Sequence, residues 1–183
     1  MKVMAYMPTW RGLLSKKENK KQIEQIGNYL YDIDGALEEN QVLFVKLHPY
    51  VKEGLNYDDF EHIRPFPDEY ETYDFLNATD MLITDYSSIM FDYAVSGKKI
   101  ILFTYDRKEY LGDRGMYIDL DEIEFPKADT VENLMEKIND EEEAHYEKFR
   151  ETYCPYDKED TAAAVCEFLF LGKEPRFLVE KPS

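Results

Sequence analysis

The stretch that most constrains this chain is Asp80-Met81-Leu82-Ile83-Thr84-Asp85-Tyr86-Ser87-Ser88-Ile89-Met90-Phe91-Asp92-Tyr93-Ala94-Val95-Ser96-Gly97. Met81, Leu82 and Ile83 form an unbroken apolar run, as a parallel strand covered on both faces requires. Asp85-Tyr86-Ser87-Ser88 turns the chain. A helix then follows in which Ser88, Asp92 and Ser96, at i, i+4 and i+8, form one polar stripe on an otherwise apolar surface. Gly97 is placed to close that helix in the left-handed conformation. Two hydroxyls beside the free amides of a helix start, at the end of a parallel strand, suit a phosphate. Helix capping alone accounts for Ser87 and Ser88 equally well.

The remaining elements alternate in the same way. Lys2 to Met7 reads as the first strand, ended by Pro8-Thr9-Trp10-Arg11-Gly12. Ser15-Lys16-Lys17-Glu18 has the form of a capping box, and Ile23, Ile26, Leu30, Ile33 and Leu37 recur at helical spacing behind it. Gln41 to Leu47 is a second strand, stopped by Pro49 with His48 at its carboxyl end. Tyr50 to Asp59 reads as a loop, His62 to Pro65 as a short strand, and Asp68-Glu69-Tyr70-Glu71 as a capping box for a helix carrying Tyr73, Phe75 and Leu76. Ile100 to Phe103 is another buried strand. Lys108 to Gly115 is polar and aromatic, and Met116 to Leu120 is expected as a last short strand before Pro126 breaks the chain. Val131, Leu134, Met135 and Ile138 share a helical face, Glu141-Glu142-Glu143 reads as a solvated helix start, and Thr161 to Leu171 as an apolar helix ended by Gly172.

Strands alternating with helices predict an α/β, Rossmann-like, doubly wound and mostly parallel sheet. The 183 residues are expected to form a single domain over 1–172, with a tail at 173–183. Ligands of such sheets bind outside the carboxyl ends of the strands. Four loops lie there: Pro8 to Gly12, Lys46 to Pro49, Thr84 to Ser88 and Thr104 to Arg107. Each carries polar groups suited to a phosphate or a sugar. Arg11 offers a fork of donors to an anion, although Trp10 and Arg11 could equally be a ring and guanidinium packed at the surface. His48 could be structural or functional, and its place at a strand end with Lys46 two residues before it favours function.

A net charge of −17 opposes general binding to nucleic acid or anionic lipid. Cys154 and Cys166 lack partners at metal-site spacing; Cys166, in an apolar helix, is expected as a buried thiol, which suits a reducing compartment. No apolar run approaches the roughly 18–20 residues that span a bilayer, and no signal peptide is visible. There is no Gly-x-Gly-x-x-Gly after the first strand, no P-loop and no Gly-x-Ser-x-Gly elbow, so dinucleotide, P-loop and α/β-hydrolase chemistry are disfavoured. No clustered carboxylates of the kind that hold Mg²⁺ are evident, with Asp85 and Asp92 the nearest approach.

Pro8-Thr9-Trp10-Arg11, Lys46-Leu47-His48-Pro49, Thr84-Asp85-Tyr86-Ser87-Ser88 with Phe91-Asp92, and Thr104-Tyr105-Asp106 with Arg114-Gly115 occur here in order. From about Lys2 to about Ile138 the chain resembles the carboxyl-terminal half of CDP-glycerol glycerophosphotransferases, bacterial enzymes that build poly(glycerol phosphate) teichoic acid. The resemblance implies one half of a GT-B architecture, the half that binds the nucleotide donor. It implies that His48, Ser87 and Ser88 contact the donor diphosphate, with Arg11 nearby. The candidate donor and phosphate set is then Arg11, Lys46, His48, Thr84, Ser87, Ser88 and Asp92, with His48 the catalytic candidate and no metal. Two departures are evident: the acceptor-binding half, with the histidine expected as base, is not expected in this chain, and Phe125-Pro126-Lys127 stands where the family has a Pro-Gly-Pro-like turn.

The implied reaction is transfer of glycerol phosphate from CDP-glycerol, or a related CDP-alditol, to an acceptor hydroxyl of a teichoic acid, with release of CMP and no cofactor. The setting would be cytoplasmic, with the full enzyme at the inner face of the bacterial membrane. The alternatives are a GT-B glycosyltransferase using a nucleotide-sugar and a non-catalytic nucleotide-binding domain. A response-regulator-like domain is disfavoured because no acidic pocket follows the first strand.

Overall fold

Strand β1 (Lys2–Tyr6) leads to helix α1 (Lys16–Asp34), then β2 (Gln41–Val45), β3 (Ile63–Pro65), α2 (Thr72–Asn77), β4 (Met81–Thr84), α3 (Ile89–Ala94) and β5 (Lys99–Phe103). Helix α4 (Arg107–Asp113), β6 (Lys127–Ala128), α5 (Val131–Asn139), α6 (Glu147–Tyr153) and α7 (Thr161–Leu171) complete the chain. The computed structural model describes residues 1–11, 16–49, 51 and 54–174, with the backbone alone for 16–19. The strands and α1 to α5 belong to one compact unit, Met1–Tyr146, and α6 and α7 to a second, Glu147–Ser183.

The six strands form one sheet in the order β3-β2-β1-β4-β5-β6, and every ladder is parallel. From β1 the chain winds outward to β2 and β3, then returns to β4 on the other side of β1. The winding therefore reverses between β1 and β4, the position at which sheets of this kind open a crevice. Register follows from the side-chain period of two. Met4 lies opposite Leu43 and Met81, and these join Tyr6, Val45, Ile83, Ile101 and Phe103 in a core with Ile26, Leu30 and Ile33 of α1 and Leu134 and Ile138 of α5. The alternate residues Ala5, Leu82, Ile100 and Leu102 are fully buried as well. On the side of Phe44, Phe75 of α2 meets its ring edge-on at 4.9 Å. Burial on both faces explains why β4 and β5 read as unbroken apolar runs.

Several expectations change. The last strand is β6, not 116–120. Asp119 accepts from the Asp121 amide at 2.9 Å and turns that segment, whereas Lys127 and Ala128 find a ladder beside β5. Residues 107–113 are helical although α4 buries no residue, so it carries no apolar stripe for the sequence to display. No helix starts at Glu141: the Asp140 carboxylate accepts from the Glu142 amide at 3.0 Å, and helix resumes at Glu147. Glu71, rather than Asp68, caps α2, accepting from the amides of Tyr73 and Asp74. Cys166 is exposed and Cys154 is the buried thiol, because α7 buries none of its residues. Gly97 adopts a φ of 72°, the left-handed closure expected of it, and Gly172, after α7, a φ of 65°. Gly12, Ser15, Tyr50 and the tail from 175 lie outside the described residues.

Candidate functional site

Three of the carboxyl-end loops are tied together by Arg11. Its guanidinium makes a fork with Asp106 after β5, Nε to Oδ2 at 2.6 Å and Nη2 to Oδ1 at 3.1 Å. Its Nη1 lies 2.8 Å from Oδ2 of Asp85 after β4 and donates to the Thr9 carbonyl at 2.5 Å. The side chains of Arg11, Asp85 and Asp106 are 16%, 1% and 12% exposed, so all three charges are largely withdrawn from water. Asp85 also accepts from the Thr9 amide and hydroxyl, at 2.9 and 2.6 Å, and from the Tyr86 amide at 2.6 Å. The rings of Tyr86, Tyr105 and Tyr110 surround the guanidinium at 5.0, 5.8 and 5.0 Å, with Tyr86 and Tyr110 stacked at 3.8 Å. Tyr86 donates to Asp106 at 3.0 Å.

The electrostatics of this group follow from its burial. Burial by itself would make the Arg11 cation less stable, but the hydrogen bond to Asp106 and the charge of Asp85 outweigh it, and the guanidinium holds its proton more tightly than usual. Burial, and then the Asp106 charge, push the Tyr86 phenol well above its ordinary value, and burial does the same for Tyr105. One cation between two carboxylates leaves a formal charge of −1, so the group does not present a free positive charge to a ligand.

The fourth loop joins through aromatic contact. His48, exposed after β2, lies over Trp10 with ring centroids 5.1 Å apart and planes 15° from parallel. Beyond Tyr86, Ser87 is half-buried and Ser88 exposed. Ser87 accepts from the Ile89 amide at 3.4 Å, while Ser88, the residue that opens α3, makes no side-chain cap bond. The other expected members are placed differently. The Thr84 hydroxyl is fully buried and donates to the Met7 carbonyl at 2.8 Å, tying β4 to β1. The Lys46 ammonium donates to the Thr72 hydroxyl and lies 4.3 Å from the centre of the Phe66 ring. Asp92, exposed on α3, accepts from Tyr73 at 3.4 Å. Arg11, His48 and the serine turn therefore line neighbouring strand ends, whereas Lys46 and Thr84 are engaged within the fold.

A cleft of about 590 Å³ adjoins the Arg11 group at the ends of β5 and β6, bordered by Tyr105, Asp106, Lys108 and Asp129 among others. Among the described residues no three His, Cys, Asp or Glu side chains gather as a set that could hold a metal ion.

Residues 1–171 match the family model for CDP-glycerol:poly(glycerophosphate) glycerophosphotransferase. The chain belongs to this family. Among curated glycerophosphotransferase relatives, the teichoic acid poly(ribitol-phosphate) polymerase of Bacillus spizizenii is 34% identical over 148 residues, 76% of this chain and 23% of its own. The teichoic acid glycerol-phosphate transferase of Staphylococcus aureus is 29% identical over 183 residues, 92% of this chain and 45% of its own. This glycerophosphotransferase-family chain thus spans less than half the length of either relative. A structure of the wall teichoic acid polymerase TagF superimposes with a TM-score of 0.75 at 24% identity, covering 93% of this chain and 43% of that one, a likeness of fold.

Within this family member, sequence reasoning singled out Arg11, His48 and the serine turn but missed the roles of Asp85, Asp106 and the three tyrosines as Arg11's surroundings. Only the motif order carried a signal for them. Thr9 and Asp85 are 76 positions apart and Arg11 and Asp106 are 95, so no local spacing links them.

Proposed function

We propose that this chain is the donor-binding half of a transferase that moves glycerol phosphate from CDP-glycerol to an acceptor hydroxyl of a teichoic acid. The observation that carries the proposal is the family match over residues 1–171, lying on a sheet whose carboxyl-end loops line the switch point between β1 and β4. The acceptor oxygen forms a bond to the phosphorus that bears glycerol. The bond from that phosphorus to the oxygen of CMP breaks, and its electron pair leaves with CMP. His48 and the Ser87-Ser88 turn are assigned to the donor diphosphate, where hydrogen-bond donors stabilise the charge gathering on the leaving phosphate. Helix α3 has only six residues, so nearby amides and hydroxyls matter more than its dipole. Charge stabilisation and positioning suffice for this transfer, and no cofactor is included in the proposal.

The acceptor proton needs a base within hydrogen-bond reach. His62 immediately precedes β3, and His145 borders a small cleft with Lys99 at the start of β5. Both lie toward the amino ends of the strands, away from the switch point. The base is therefore assigned to polypeptide corresponding to the remainder of the longer relatives. No helix among the described residues is long and apolar enough to cross a membrane. Association of the full enzyme with the membrane surface is part of the proposal.

A second donor, CDP-ribitol, is favoured by the 34% identity to a poly(ribitol-phosphate) polymerase. Calorimetric titration with CDP-glycerol, CDP-ribitol, CMP and UDP-glucose tests both. A CDP-alditol should bind more tightly than CMP, and UDP-glucose should not bind. Binding of UDP-glucose without either CDP-alditol would replace the proposal with a nucleotide-sugar transferase.

A further inference from the structure

We infer that Arg11 is a positioning residue that does not touch the donor: it sets the exit of the chain from β4, and so the place of Ser87 and Ser88, through Asp85. The inference rests on the donor-binding reading and deepens it, because it assigns the anion contacts to the exposed His48 and serine turn and withdraws them from the arginine.

Four of the five donors of Arg11 are already engaged within the protein. A guanidinium has five N–H groups. Those of Nε and Nη2 that face Asp106 form the fork, and Nη1 is divided between the Thr9 carbonyl and Asp85. Turning the side chain outward would leave Asp85, 1% exposed, and Asp106, 12% exposed, without their cation. Stranding buried carboxylates in this way opposes the move. The tyrosine rings oppose it too, since Tyr86, Tyr105 and Tyr110 leave the guanidinium stacked among aromatic faces. Paired with two carboxylates, the guanidinium itself offers a diphosphate little unbalanced positive charge.

The consequences of this arrangement run along the chain. Asp85, held by Arg11, accepts from the Thr9 amide and hydroxyl and from the Tyr86 amide, the residue directly before Ser87. Tyr86 is fixed a second time by its bond to Asp106 and its stack on Tyr110. The loops after β1, β4 and β5 thus share one set of bonds centred on Arg11. Lysine cannot replace it, because a single ammonium cannot make a fork to Asp106 while reaching Asp85.

The test combines three measurements on the 183-residue protein. The first follows the Arg11 Nε–H resonance as CDP is added; a guanidinium closed by Asp106 keeps its position, whereas one that meets phosphate moves. The second compares CDP affinity of Asp106→Asn with the native protein. Positioning requires affinity to fall, roughly tenfold for loss of one charge-assisted bond, with cytidine binding little changed. An arginine that binds phosphate directly would be released by Asp106→Asn, and CDP would bind more tightly. The third needs no ligand: Arg11→Lys should speed hydrogen exchange at the Thr9 and Tyr86 amides by roughly tenfold or more, as local order there is lost. Tighter CDP binding by Asp106→Asn, a CDP-dependent shift of the Nε–H resonance, or unchanged exchange at both amides would overturn the inference. Failure of the native protein to bind CDP would refute the donor reading instead, and the exchange measurement would still decide what Arg11 does.

Discussion

Asp85→Ala removes the most heavily used acceptor in the site. The carboxylate is fully buried and receives the Thr9 amide at 2.9 Å, the Thr9 hydroxyl and the Tyr86 amide at 2.6 Å each, and the Arg11 guanidinium at 2.8 Å. Breaking a buried ion pair by deleting one partner costs about 3–5 kcal/mol. The low end applies, because Arg11 keeps its fork to Asp106 and is not left as an unpaired charge. We therefore expect a loss of about 3 kcal/mol, most of it from the Thr9 and Tyr86 donors stranded without an acceptor. With a urea dependence of about 2 kcal/mol per molar, the unfolding midpoint should fall by about 1.5 M. The single tryptophan, Trp10, sits next to Arg11 and reports the site by fluorescence, while far-ultraviolet circular dichroism reports the sheet. Asp85→Asn keeps the shape and one acceptor, and should lose about 1–2 kcal/mol. A change below about 1 kcal/mol for Asp85→Ala would show that these short bonds do not organise the loops, and the reasoning would fail.

His48→Ala should weaken CDP-glycerol binding roughly ten- to a hundredfold, the worth of one charge-assisted hydrogen bond. Its melting temperature should hold, since the imidazole is exposed; a lowered melting temperature with unchanged affinity would make His48 structural. Alkaline titration, followed by tyrosinate absorbance, tests the cage: Tyr6, Tyr86 and Tyr105 are all raised above the ordinary 10.0, mainly by burial. Their contribution to stability is complete below that pH and is lost as pH climbs toward the raised folded values, so they should ionise only as the fold opens; rapid ionisation of every tyrosine in a still-folded protein would contradict this. Ile83→Ala, at the centre of the core, should cost about 2–5 kcal/mol by urea unfolding. The 183-residue protein by itself should bind donor without appreciable acceptor-dependent CMP release, and robust release would place the base among its own residues.

Local chemistry along the chain specified the doubly wound class. The apolar runs at Met81–Ile83 and Ile100–Phe103 could be satisfied only by cover on both faces, and the polar turns after them, with Pro8 and Pro49 after the first two strands, marked the strand ends where a ligand binds. Gly97 and Gly172 were readable because each follows a helix and glycine takes the left-handed φ of a helix end without steric cost. Helices α4 and α6 were not readable: α4 buries nothing, and α6 follows a segment turned by Asp140, so neither declared itself by a long apolar stripe. The two residues of β6 became a strand only because β5 offered them a free edge. The site divides along the same line. His48 and the serines announced themselves by standing at strand ends. Whether Arg11 faces a ligand or the protein interior depended on Asp85 and Asp106, which reach it only once β4 and β5 take their places beside β1. Charge pairing acts through space, and 95 positions of intervening chain leave no trace of it in local order.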